Sequence, residues 1–386
     1  MGGPIRSSAD THMLDWKLLS SDSHVVEPPE LWTERMDRGF RDRGPRVVSE
    51  PDGDWWTIDG TRGNSFQGGA QVGKRFERPE DLRPAARFSE VRPGAYQPAE
   101  FLRENEEDGV WGSVIYPTAG LQLYRVPDLP LLSACFRAYN DWLAEFCGTA
   151  PARLRGVALI NIEDVDEAVR ELERTRKRGL AGGMITVAPP EDKAYDQPMY
   201  ESFWAAAQDL EAPISLHIDT NRPAPHVVAE SNRTSRAALL ANADYWVRVA
   251  LGHLILEGVF ERHPRLRVGS AEHELAWAPH FLDRLDYTYT QRARRAHWHR
   301  YQGDALPSDF FRRNVFLSFQ EDAMGIRDRA LIGVDLLMWG SDYPHTESTF
   351  PRSRAILERI LDGVPDRERR QITRSNVARL YRFDIR

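Results

Sequence analysis

Short apolar or β-branched runs bounded by turn residues recur along the chain, and stretches with helical periodicity separate them. The runs are Lys17 to Asp22, Ser113 to Tyr116, Val157 to Asn161, Gly183 to Val187, Ile214 to His217, Leu266 to Ser270, Val315 to Ser318 and Leu337 to Gly340. Helical stretches follow at Leu131 to Phe146, Asp164 to Arg178, Tyr200 to Leu210, Leu275 to Asp286 and Ser353 to Leu361. Asp164 is placed to cap its helix. Leu251, Leu254, Ile255, Gly258 and Val259 form one apolar stripe in the helix before the sixth run. Strands alternating with helices in this number predict an α/β protein, a parallel (β/α)8 TIM barrel. A doubly wound open sheet is the competing arrangement, but it does not readily join the first and last strands.

The alternation fails from Pro28 to about Pro98, which is rich in Pro, Gly and charge and has no long helical pattern. Within it, Pro51 to Gly60 reads as a small hairpin. A long insertion after the first strand sits at the mouth of a barrel and is expected to be a lid, a substrate wall or an oligomerisation arm. Residues 1–15 are polar and read as a loosely packed tail, which leaves 16–386 as the barrel.

Composition narrows the function classes. The chain has 386 residues, 41% hydrophobic, enough for a sizeable core, and a net charge of −7 with both signs interspersed. No nucleic-acid partner is expected; the one basic aromatic stretch, Gln291 to Tyr301, reads as a lid or surface arm. No apolar run is long enough to span a membrane, and no secretory leader is recognisable. Cys135 and Cys147 lie in one helical pattern and read as free thiols of a reducing compartment. The expectation is a cytoplasmic protein acting on a small molecule.

The chemistry collects where a barrel places its active site, at the C-terminal ends of the strands. The first strand ends in Asp22 and His24, the fifth in His217, the sixth in Glu272, His273 and Glu274, and the eighth in Asp342 with His345 three residues on. Two imidazoles and two carboxylates suit Zn, Mn or Fe with a position open to water or substrate. Asp22, His24, His217 and Asp342 are the candidate metal ligands. Glu272, His273 and His345 are candidates for base, proton transfer and substrate orientation. Glu27, Glu274 and His253 are candidates for a second metal or for support of the ligands. Asn161 and Trp298 are candidate substrate contacts, and Trp55 and Trp56 candidate pocket walls. His263, His280, His297 and His299 read as surface or lid residues.

Six segments carry a family resemblance: Asp22-Ser-His-Val-Val-Glu-Pro-Pro29, Ala138-Tyr-Asn-Asp-Trp142, Gly258 to Arg262 with His263-Pro264, Ala271-Glu-His-Glu-Leu-Ala-Trp277, Phe319-Gln-Glu-Asp322 and Gly340-Ser-Asp-Tyr-Pro-His345. From about Leu18 to Phe383 the chain resembles the amidohydrolase superfamily. The resemblance is to the branch that includes aminocarboxymuconate-semialdehyde decarboxylase and γ-resorcylate decarboxylase. It implies a distorted barrel, a divalent metal and a homodimer, with the first-strand pair on Asp22 and His24, the fifth-strand histidine on His217 and the eighth-strand aspartate on Asp342. The first strand has Asp-x-His for the usual His-x-His, Glu272 stands at the sixth-strand histidine position, and no lysine ends the fourth strand. A single metal is therefore the default, while spare ligands in the sixth-strand cluster leave room for two Fe. The expected function is a metal-dependent hydrolase or non-oxidative decarboxylase of a small carboxylated or carbonyl-bearing substrate. The alternatives are a di-iron, oxygen-dependent monooxygenase of a bulky apolar, terpenoid-like substrate, and an inactive barrel serving as a binding module.

Overall fold

The computed structural model describes residues 16–222, 236–292 and 298–385. The polar tail, His297 and the middle of the basic stretch lie outside them. Among the described residues, parallel strands pair in the order β1 (Leu18–His24), β5 (Val110–Tyr116), β6 (Leu154–Leu159), β7 (Gly182–Ile185), β8 (Ile214–His217), β9 (Val268–Ala271), β10 (Val315–Phe319) and β11 (Leu337–Trp339). These are the eight predicted strands with small shifts at their ends. Strands β7 to β11 are buried throughout, as parallel strands covered on both faces must be. Helices follow most of them. The Val165–Lys177 helix starts where expected, with the Asp164 carboxylate accepting from Glu167 N–H. The stripe before β9 is not one helix. The Asp244–Leu256 helix stops, and Gly258 takes φ +74°, which restarts the chain as a short turn at Val259–Arg262. No helix among the described residues is long and apolar enough to cross a membrane.

β1 and β11 close the barrel without a regular strand ladder among the described residues. Individual bonds replace it. Asp342 N–H donates to Asp22 O at 2.8 Å and His24 N–H to Tyr343 O at 2.6 Å. Ser341 N–H donates to Ser20 Oγ at 2.9 Å, and Ser21 Oγ lies 2.7 Å from Ser318 Oγ. The sequence of β1, Leu-Leu-Ser-Ser-Asp-Ser-His, is fully buried although more than half of it is polar. Its hydroxyls satisfy the seam and its ionisable groups enter the site. Beneath the strand ends, the Tyr381 hydroxyl lies 3.3 Å from that of Tyr116.

The insertion contains an antiparallel sheet of β2 (Arg46–Glu50), β3 (Gly53–Ile58) and β4 (Thr61–Ser65). The predicted hairpin supplies its central strand. Trp56 packs edge-on against Trp32, 5.0 Å between centroids, and Trp55 lies beneath Arg62. Both tryptophans thus hold the insertion together. The insertion does reach the strand ends: Thr346 Oγ1 donates to Gly68 O at 3.1 Å, and Arg75 Nε donates to Ser348 O at 3.0 Å.

The seam leaves no room at Gly340, where a Cβ would lie 2.5 Å from the Asp22 Cβ and 3.0 Å from its backbone N. Gly340→Ala is expected to destabilise the fold by ~1–3 kcal/mol, the usual range for overpacking. Urea unfolding would measure it; an unchanged midpoint would mean that the seam has slack.

Candidate metal centre

Asp22 and His24 are two apart on β1 and therefore project from the same face of the strand, into the barrel mouth. His217 is the last residue of β8. Glu272 and Asp342 lie just past β9 and β11, in loops that turn sharply. Glu272, Glu274 and Asp342 have φ of +63°, +55° and +57°, a conformation that non-glycine residues hold only when their surroundings enforce it.

These side chains converge. Ligand atoms of Asp22, His24, His217 and Glu272 all lie within 4.8 Å of one another, as do those of His24, Asp342 and His345. His24 Nε2 is 3.3 Å from Asp22 Oδ1 and 3.2 Å from Asp342 Oδ1. His217 Nε2 is 3.6 Å from Asp22 Oδ1 and 3.5 Å from Glu272 Oε2. Both Asp22 oxygens, Asp342 Oδ2 and the Nε2 atoms of His24 and His217 are buried without a hydrogen-bond partner. Orphaned buried polar atoms are uncommon because each costs about 1–3 kcal/mol. Their spacing fits a cation. With bonds of ~2.1 Å, a tetrahedral zinc-like site has ligand–ligand edges of roughly 3.4 Å.

The histidines are oriented for this. Nδ1 of His24 donates to Pro117 O at 2.7 Å, and Nδ1 of His217 donates to Ile218 O at 3.0 Å. A carbonyl can only accept, so Nδ1 carries the proton in each, and in the neutral ring Nε2 is left to face the cluster. His345 Nδ1 lies 2.8 Å from Asp342 Oδ1, and its Nε2 lies 2.9 Å from Thr118 Oγ1.

Without a cation the charges in the cluster are strained against one another. Burial pushes the Glu272 and Asp342 carboxyls well above the ordinary range, and neighbouring carboxylates add to it. Burial would raise Asp22 too, but His217 and His24 hold it low. Burial alone would lower His217; the nearby Asp22 charge, with that of Glu272, instead raises it to about 9. Burial, with His345 nearby, lowers His24 to about 3.

The other sequence candidates fall elsewhere. The Glu27 carboxylate accepts backbone N–H groups from Thr118, Ala119 and Gly120. Glu274 sits astride the backbone N–H groups of Gln320 and Glu321, at 3.3 and 3.4 Å. His253 is 40% exposed and faces Asp196 on the outer helical layer. The Asn161 amide donates to Leu129 O and Ser133 Oγ, tying β6 to the next helix back and not facing the cluster. Trp298 adjoins in sequence His299 and Tyr301, which bond to Glu261 and Ile255 on the outer helical layer. His263, expected at the surface, is buried against Glu201, and His280 is exposed. His273 is buried beside the cluster with Nδ1 3.0 Å from Ser270 Oγ. Thr118 escaped sequence reading. It lies two residues beyond the end of β5, and extending the search past each strand end would have found it.

The fold and this cluster define a class. The sequence profile of the amidohydrolase family matches residues 131–383, and the chain belongs to that family. It is an enzyme of the amidohydrolase superfamily. Among its relatives, the γ-resorcylate decarboxylase of Rhizobium sp. (strain MTP-10005) is 25% identical over 277 residues, covering 67% of this chain and 79% of the relative. An amidohydrolase structure from Mycobacterium avium subsp. paratuberculosis superposes with a TM-score of 0.75 at 21% identity, covering 95% of this chain and 98% of the other. A dihydroxybenzoic acid decarboxylase from Polaromonas sp., solved with manganese and the inhibitor 2-nitroresorcinol, superposes with a TM-score of 0.65 at 19% identity, covering 95% and 97%.

Because His217 is protonated up to about pH 9 in the metal-free state, loading the centre must displace that proton. Apparent metal affinity is expected to rise about tenfold or more per pH unit from pH 7 toward 9, with proton release visible as buffer-dependent calorimetric heat. His217→Ala is expected to abolish uptake; full occupancy in that variant, read by elemental analysis, would break the assignment.

Proposed function

We propose that this protein is a divalent-metal-dependent, non-oxidative decarboxylase of a small aromatic carboxylate. The observation that carries the reading is a pair of convergent ligand groups that share His24, Asp22–His24–His217–Glu272 and His24–Asp342–His345, with orphaned buried atoms on Asp22, His24, His217 and Asp342. The names of the relatives favour decarboxylation over hydrolysis.

In this reading Asp22, His24, His217 and Asp342 hold the cation. Zinc, manganese or iron all suit two imidazoles and two carboxylates. The cation would polarise the substrate oxygens and stabilise the charge that develops as the bond breaks. Asp342 and Thr118 engage the two ring nitrogens of His345 and fix the ring beside His24 at the mouth, where it shapes the space left to the substrate. Glu272 is 22% exposed and lies beside the ligand atoms of Asp22, His24 and His217, which places it as the proton donor. The carbon–carboxylate bond breaks with its electron pair left on the ring carbon, the Glu272 proton goes to that carbon, and CO2 leaves. Water at the exposed edge returns the proton. His273 is a poorer donor, since burial lowers it to about 3 and leaves a neutral imidazole at physiological pH. The insertion, through Gly68 and Arg75, walls the mouth and limits substrate size.

A second reading has one observation in its favour. His24, Asp342 and His345 form a second ligand group; the one free nitrogen of His24 serves a single metal, so Asp342 and His345 would be what holds a second iron for oxygen chemistry.

Purified protein is expected to hold one metal per chain and to release CO2 from hydroxybenzoates without oxygen, with activity lost on chelation and restored by manganese. Glu272→Gln is expected to lower kcat by about 10²- to 10⁴-fold with metal retained, the usual span for a lost proton donor. Two irons per chain with oxygen consumption would replace this reading by the second. Ester or amide cleavage without CO2 release would leave only the hydrolase.

A further inference from the structure

Two imidazoles of the centre take their orientation from one short turn. His24 Nδ1 donates to Pro117 O at 2.7 Å, and His345 Nε2 lies 2.9 Å from Thr118 Oγ1. The turn follows β5 and runs into a single helical turn, Ala119–Leu123, too short to stabilise its own start. Its first N–H groups have no helical partner and are taken by one side chain. Glu27 Oε1 accepts from Thr118 N–H at 3.2 Å and Gly120 N–H at 2.9 Å, and Oε2 accepts from Ala119 N–H at 2.8 Å.

Glu27 is fully buried, and the groups that face it are these backbone donors. Burying a carboxylate against amides alone is expensive, since its desolvation is only partly offset. Packing alone gives no reason for a carboxylate there, because an apolar residue would fill the same space. What the carboxylate adds is three directional bonds that fix where Pro117 O and Thr118 Oγ1 point. Both its oxygens are committed, so it has no free ligand atom for a cation.

We propose that Glu27 is a positioning residue that sets the Pro117–Thr118 turn and, through it, the rings of His24 and His345. The two arms differ. Pro117 acts on a proposed metal ligand, and Thr118 acts on a residue proposed to orient substrate. This inference rests on the metal-centre reading given above.

The test is titration of full-length apoprotein with Mn²⁺, with free Mn²⁺ read by electron paramagnetic resonance, alongside thermal melting without metal. Glu27→Gln is expected to weaken Mn²⁺ binding by about 10- to 100-fold, the usual effect of losing a group that orients a ligand. Thr118→Val should leave Mn²⁺ affinity near the wild-type value and lower kcat, and Thr118→Ser, which keeps the hydroxyl, should restore kcat. Unchanged Mn²⁺ affinity in folded Glu27→Gln overturns the inference and leaves the centre standing. Failure of the wild type to bind Mn²⁺, Zn²⁺ or Fe²⁺ overturns the centre itself. Should Glu27→Gln not fold, Glu27→Asp carries the same measurement. Loss of folding in both, with Thr118→Val indistinguishable from wild type, makes Glu27 a residue of stability alone and also overturns the inference.

Discussion

Polar side chains that converge in a dry place without satisfying one another are expensive, and the closure of the barrel brings them together here. Asp22 and His24 leave one side of the β1–β11 seam and Asp342 leaves the other. The bonds that join the strands, from Asp342 N–H to Asp22 O and from His24 N–H to Tyr343 O, run through the same residues. Seam and centre are one piece of structure. A shift of the last strand against the first would move both sets of ligand atoms apart. The serine hydroxyls of β1 and the missing side chain at Gly340 let the two strands approach closely enough.

The loops past the strands carry the remaining constraint. Glu272, Glu274 and Asp342 hold positive φ within a few residues of the strand ends. Such backbone costs of order 1–3 kcal/mol per residue. It persists because buried side chains over-determine the turns. Asp322 accepts from the backbone N–H groups of Leu275, Ala276 and Gly325, which joins the loop after β9 to the loop after β10. Tyr343, next to Asp342, donates its hydroxyl to the buried Glu104, itself paired with Arg92.

Many of the chain's distinctive polar residues are therefore scaffold. Asn140 bonds both the N–H and the C=O of Leu159 and pins the edge of β6. His263 pairs with Glu201 between neighbouring helices. Glu274 faces backbone amides, and burial raises it to about 7. In the family segments read from the sequence, chemistry and support alternate residue by residue. Glu272 faces the cluster while Glu274, two positions on, faces the backbone, because each sits at its own sharp turn and the alternation of a regular strand no longer applies.

The sequence by itself determined the architecture and the inventory of the centre. Buried parallel strands have short apolar runs, helices have periodic faces, and ionisable residues at strand ends stand out against both. That was enough to place Asp22, His24, His217, Glu272, Asp342 and His345 in one barrel mouth. Local pattern carried less at Asn161 and His253, which look equally polar on paper yet turn toward a helix or the outer layer. Only the tertiary structure decided that Glu27 serves the turn after β5 and that Thr118 meets His345, since those partners lie about 90 and over 200 residues away. Side-chain direction is a local property of a strand. Which atom waits at the end of that direction is set by the register of distant strands and the turns between them.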